Sequence, residues 1–257
     1  MELAIICLVA FFTATITFFS GFGLGTILMP VFAIFFPIDI AIALTGVVHF
    51  SNNLFKISLV GRNSDKEVLL KFGIPAIIAS FAGAWLLLRI TKMPSILEYH
   101  IWNRNFEITP VKLVIAILLI VFSLFEILPS VQKIQFSRNK LAIGGVLSGF
   151  FGGLTGIQGA IRSAFLIKSG LTKEAYIATG VVIACLVDIT RLSVYASRFK
   201  EANLHEYLIL IISATLAAIA GAFIGNKLLK KITLRFIQVL VAIMIFLIAI
   251  TMGAGII

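Results

Sequence analysis

The residues of this chain that could do chemistry are few, and most are charges set inside otherwise apolar runs. Lys56, Arg162, Asp188 and Arg191 each interrupt such a run, with His49 and Glu126 as weaker candidates. A charge held at the centre of a bilayer costs about 2.5–3.5 kcal/mol even on lenient scales, so those that persist there usually carry function. Arg162 is the strongest of them, because a planar guanidinium offers paired donors that fit a carboxylate, a phosphate or a sulfonate. Asp188 and Arg191 stand three apart on one helical face and can pair. Asn53 and Lys56 hold the corresponding places in the first half. Asp188, Arg191, Lys56 and His49 are therefore the candidates for a gate or a proton-linked group beside a bound anion. For Lys56 and Arg191 the sequence favours side chains that reach the headgroups from helix ends. For Asp188 it favours the functional role. His49 reads first as a satisfied core histidine.

Neutral polar residues cluster at the same depth. Asn52, Asn53, Thr155 and Gln158 are candidate substrate contacts, together with Arg162 and the backbone at Gly21, Gly23, Gly25 and Gly156. Taken singly, such residues more often glue helices together. As a group around two glycine breaks, with Ser20, Thr45 and Thr179, they form a polar pocket whose exposed backbone N–H groups favour anions. The chain has no HExxH, no GxSxG and no pair of carboxylates placed for aspartyl chemistry, so an enzyme is not expected. Cys7 and Cys185 supply neither a disulfide framework nor a metal site. No cofactor is implied.

These residues must be positioned by membrane helices. Of the 257 residues, 60% are hydrophobic and 12% charged, where soluble domains average about 45–50% and about 25%. The net charge of +10 comes from 21 Lys and Arg against 11 Asp and Glu, nearly all of the basic residues in short breaks between apolar runs. That is a topological signal rather than a nucleic-acid footprint. Apolar segments run over 3–36, 39–60, 68–90, 109–128, 141–168, 173–197, 204–229 and 233–256. The expected fold is an all-α integral membrane protein in the lipid bilayer, with no separate extramembrane domain. Tyr99 and Trp102, in the longest polar break, mark an interfacial segment.

The first segment is too long for one straight crossing of a hydrocarbon core about 30 Å thick. Its middle reads SGFGLGTILMP, and glycines followed by a proline predict a broken or re-entrant helix facing the protein interior. The same design returns in the second half. Thr45-Gly46-Val47-Val48 recurs as Thr179-Gly180-Val181-Val182, and Asn53-x-x-Lys56-x-Ser58 as Asp188-x-x-Arg191-x-Ser193. Ser20-Gly21 matches Thr155-Gly156, and Ala82-Gly83-Ala84 matches Ala220-Gly221-Ala222. Four ordered matches at offsets of 134 to 138 define a duplication, with repeats over 1–130 and 138–257 in one integrated unit. Arg162 breaks the symmetry, its counterpart being Ile27 or Leu28. If every segment crosses once, the loop Lys and Arg divide eight against ten; if 3–36 and 141–168 re-enter, twelve against six. The positive-inside rule prefers the second arrangement, which makes the repeats inverted and puts the twelve in the cytoplasm. The stripes Gly145, Gly149, Gly153 and Gly221, Gly225 read as helix-packing surfaces.

The Gly-rich SGFGLGTILMP, the helix carrying TGVV and the reprise SGFFGGLTGIQGA resemble the sulfite exporter TauE/SafE family over essentially the whole chain. The resemblance implies movement of a small sulfur-containing anion, sulfite or an organosulfonate, across a prokaryotic plasma (inner) membrane. The second Gly-rich stretch departs from the family pattern, with Gln158, Ala160 and Arg162 and no later proline. The expectation is a multi-pass secondary transporter that exports such an anion. A carrier of another small anion or a neutral metabolite, or an anion channel, stands behind it. The expected partners are that anion and lipid, with no nucleic acid; a homo-oligomer is compatible with the sequence.

Overall fold

The computed structural model describes residues 2–18, 23–102, 104–128, 136–201, 207–228 and 234–257. Ser20, Gly21 and the side chain of Glu126 lie outside the described residues. Ten helices form the body among the described residues. The first five are α1 (Glu2–Ile16), α2 (Leu24–Phe35), α3 (Ile38–Val60), α4 (Lys66–Ile90) and α5 (Pro110–Ile127). The second five are α6 (Leu141–Thr155), α7 (Gly159–Leu166), α8 (Lys173–Glu201), α9 (Leu208–Leu228) and α10 (Leu234–Gly253). Among the described residues, α3, α4, α8 and α9 are long and apolar enough to cross a membrane. The chain is a multi-pass membrane protein.

Both long apolar segments are broken where glycine permits it. Gly23 has φ 121° and opens α2; Gly156 has φ 80° and closes α6. A side chain rarely tolerates either angle. The second segment returns to the end where it began. Arg138, before α6, bridges Glu67 at the start of α4 (2.6 Å), and the Phe136 N–H donates to the Ala164 carbonyl in α7 (3.3 Å). The first segment returns likewise. Phe36, after α2, packs its ring 5.3 Å from that of Tyr207 just before α9, and α1 lies along α9 with Phe11 beside Gly221 and Thr15 beside Gly225. One hairpin opens beside the C-terminal end of α3 and the other beside its N-terminal end.

Helix pairings repeat between the two sets of five. α4 packs on α6 as α9 packs on α1; α4 meets α8 as α9 meets α3; α3 pairs with α8 and α5 with α10. Small residues make these approaches close. A Cβ on Gly145, Gly149 or Gly153 would sit 2.2, 2.1 and 2.1 Å from the carbonyl oxygens of Phe72, Ala76 and Ser80. Gly221 and Gly225 stand the same way against Phe11 and Thr15, so both glycine stripes are packing surfaces, as their spacing indicates.

One element is additional to the all-helical expectation. The break after α4 carries an antiparallel hairpin, β1 (Leu97–Ile101) and β2 (Arg104–Ile108), with Trp102 exposed at its turn. Tyr99 stacks on Phe106 and donates its hydroxyl to the Ala254 carbonyl, so the hairpin caps the end of α10.

Candidate functional site

Thr45, His49, Asn52, Asn53 and Lys56 recur at helical spacing along one side of α3, and all are buried. On α8, Asp188, Arg191 and Tyr195 do the same. The two faces meet antiparallel: Gly46 lies by Arg191 and Leu192, His49 by Asp188, and the Asp65 N–H donates to Thr179 (2.9 Å).

Asp188 is the hub. Its Oδ2 lies 2.6 Å from His49 Nδ1, while Oδ1 accepts from Arg191 Nε at 2.9 Å, with Nη2 at 2.8 Å. The amide nitrogen of Asn53 lies over the same ring, 3.1 Å from His49 Nδ1 and 3.3 Å from Nε2. Tyr195, four residues beyond Arg191, donates to the Gly153 carbonyl and ties α8 to α6. Sequence reasoning passed over Tyr195, although its spacing from Asp188 and Arg191 put it on their face.

The two helix breaks close on this hub. A Cβ on Gly25 would lie 3.1 Å from the Gly156 carbonyl oxygen and 3.6 Å from the His49 ring. A Cβ on Gly156 would lie 2.6 Å from Arg191 Nη1, and one on Gly46 3.3 Å from its Cζ. The guanidinium occupies a slot that any side chain at these positions would narrow. Arg191 Nη1, both amide atoms of Asn52 and of Gln158, and the Thr45 hydroxyl are buried without a hydrogen-bond partner. Buried polar atoms are almost always satisfied, so such a group marks a place for a ligand or water.

A second group of charges lies along α3 toward its C-terminal end. Lys56 is 5% exposed and holds its ammonium 5.3 Å from the Phe18 ring; Arg162, on α7, is 3% exposed and faces Gly180. The two cations repel one another, and Arg162 feels the opposing charge of Asp188. Gly46 and Gly180, matched in the repeat, thus each give room to an arginine, Arg191 and Arg162 respectively.

The structure therefore joins Asp188, Arg191, His49 and Asn53 directly, and brings Gly25 and Gly156 against them. It corrects the headgroup role for Lys56 and Arg191, which are 5% and 0% exposed. The helix carrying Arg191 continues to Glu201, so the arginine lies well inside it, and Lys56 turns inward toward Phe18. Thr155 sits at the break, but its hydroxyl is engaged, donating to the Phe151 carbonyl and accepting from the Ile157 N–H. Gly23 packs on Thr17, and Thr179 serves the loop before α4.

A helical bundle with two interrupted helices meeting around buried cations defines a multi-pass membrane protein of the transporter class. The model of the sulfite exporter TauE/SafE family matches residues 6–252, and the chain belongs to that family. No curated protein and no solved structure matches it.

Proposed function

We propose that the protein is a secondary transporter that exports a small sulfur-containing anion, sulfite or an organosulfonate, across the plasma membrane of a prokaryote. One observation carries the reading. Lys56, Arg162 and Arg191 are all buried, and where the two helix breaks meet, Arg191 Nη1 and both amide atoms of Asn52 and Gln158 have no hydrogen-bond partner. Uncompensated buried charge is costly, and removing the partner of a buried ion typically destabilises by about 3–5 kcal/mol. Asp188 is already shared by His49 and Arg191, so an anion at the break would meet the open Arg191 Nη1 atom and the unsatisfied Asn52 and Gln158 amides. Arg162 supplies a planar fork that fits a sulfonate or sulfite, and Lys56 a point charge.

Two further assignments belong to this reading. The halves 1–130 and 138–257 are inverted repeats, an arrangement supported by the antiparallel pairing of α3 with α8 and by hairpins opening at opposite ends. The anion occupies the midplane, where the two breaks meet, and access alternates as one repeat rocks against the other. Asn52, Asn53 and Gln158 add neutral hydrogen bonds there, and Asp188, Arg191 and His49 act in gating.

Counterflow in proteoliposomes tests the proposal. Purified protein should exchange labelled sulfite or sulfoacetate saturably, with sulfate, taurine and chloride as competitors. Saturable exchange excludes a channel. Absence of exchange for every anion by folded protein would remove the substrate class.

A further inference from the structure

Resting on that reading, we infer that the His49–Asp188 pair is a proton-binding site, and that a proton takes the place of Arg191 at Asp188 when Arg191 turns to the anion, so that one proton moves with each anion. Asp188 has two carboxylate oxygens and two partners. Oδ1 is taken by Arg191 and Oδ2 by His49. Arg191 spends only its Nε edge and Nη2 on the carboxylate, while Nη1 points at the Gly156 break with no hydrogen-bond partner. The slot between Gly46 and Gly156 gives the guanidinium room to turn toward an anion seated at the break.

When it turns, Asp188 loses one of its two partners while remaining fully buried. A carboxylate stranded in that way gains by acquiring a proton within the pair. The balance is simple. One proton enters from water, no bond of the anion is broken, and the proton leaves when Arg191 returns to Asp188. Anion and proton binding each strengthen the other by the same factor, as linkage requires.

Among the described residues, Cys185 and Tyr195 also stand near the Asp188 carboxylate on α8, and the Tyr195 hydroxyl is held by the Gly153 carbonyl. From α8 the histidine is faced by Asp188, with Arg191 behind. The α2 segment that touches its ring carries no titratable side chain, since Gly25 is the contact. α7 contributes Arg162, and α3 itself Lys56, both cations, while Asp39 of α3 lies in its first turn, away from the ring. On α9 the described titratable side chain, Lys227, lies over the Phe223 ring in the last turn. The Asp188 carboxylate is thus the one acid beside the ring among the described residues.

The coupling is consistent with export. A doubly charged anion accompanied by one proton still leaves with one net negative charge, so an inside-negative potential continues to drive it outward.

The test uses the full protein in liposomes with the membrane potential clamped at zero, and labelled sulfoacetate as the probe. An inward proton gradient of one pH unit should drive accumulation up to about tenfold, since one proton over one unit corresponds to one decade. Asp188→Asn should abolish this accumulation and flatten the pH dependence of exchange, and His49→Gln should lower the ratio of accumulation to counterflow toward one. Wild-type protein that exchanges sulfoacetate but never concentrates it would overturn the coupling while leaving the transporter reading intact. Accumulation by Asp188→Asn equal to wild type would overturn it as well. Failure of both exchange and accumulation would remove the two proposals together.

Discussion

Gly83 on α4 and Gly221 on α9 stand in the same relation to the opposite half of the chain. A Cβ on Gly83 would lie 2.0 Å from the Phe150 carbonyl oxygen, and one on Gly221 2.1 Å from that of Phe11. The obstructing atom is backbone in both cases and cannot swing aside. These contacts seat each broken helix against the long helix of the other half.

Gly83→Ala and Gly221→Ala should therefore each destabilise by about 1–3 kcal/mol, the usual cost of overpacking. Gly73→Ala, which would meet only the Leu186 side chain at 3.6 Å, should be neutral or slightly stabilising. Thermal unfolding in detergent reads all three. Equal melting of Gly83→Ala and Gly73→Ala would contradict the close approach.

Asp188→Ala should be among the most damaging single substitutions, because it leaves the Arg191 guanidinium buried without its carboxylate. A loss of about 3–5 kcal/mol is expected. Asp188→Asn combined with Arg191→Gln should cost less than the sum of the two singles, by at least about 1 kcal/mol. Additive losses in a melting series would argue that the pair is not coupled.

The hairpin arrangement predicts sidedness. In a background with Cys7→Ser and Cys185→Ser, cysteines at Asn63 and Glu174 should be labelled by an impermeant reagent from one side of the membrane, and one at Lys92 from the other. All three positions are exposed. Labelling of positions 63 and 174 from opposite sides would require segment 141–168 to cross rather than return.

Much of this was legible in the residue order, for physical reasons. An apolar run longer than the bilayer must break, and its glycines show where: Gly23 and Gly156 both take left-handed φ values there. Glycine stripes at helical spacing declare close packing regardless of partner. The burial of Lys56 and Arg191 was not legible. Counting apolar residues placed Arg191 close to the end of a segment, whereas α8 carries on to Glu201 and folds the arginine inward. The His49–Asp188 contact spans 139 positions, and no local pattern announces it. The β1–β2 hairpin escaped notice because each strand has five residues, too few for alternation to stand out from a polar break.

Equilibrium binding of sulfite and of sulfoacetate to the purified protein, followed by calorimetry, bears on whether Lys56 and Arg162 hold the anion. A single saturable site is predicted for wild type. It should weaken roughly tenfold to a hundredfold in Lys56→Gln and in Arg162→Gln, as expected when one charge-assisted hydrogen bond is lost. Undiminished affinity in both folded variants would contradict the account and move the anion elsewhere in the fold.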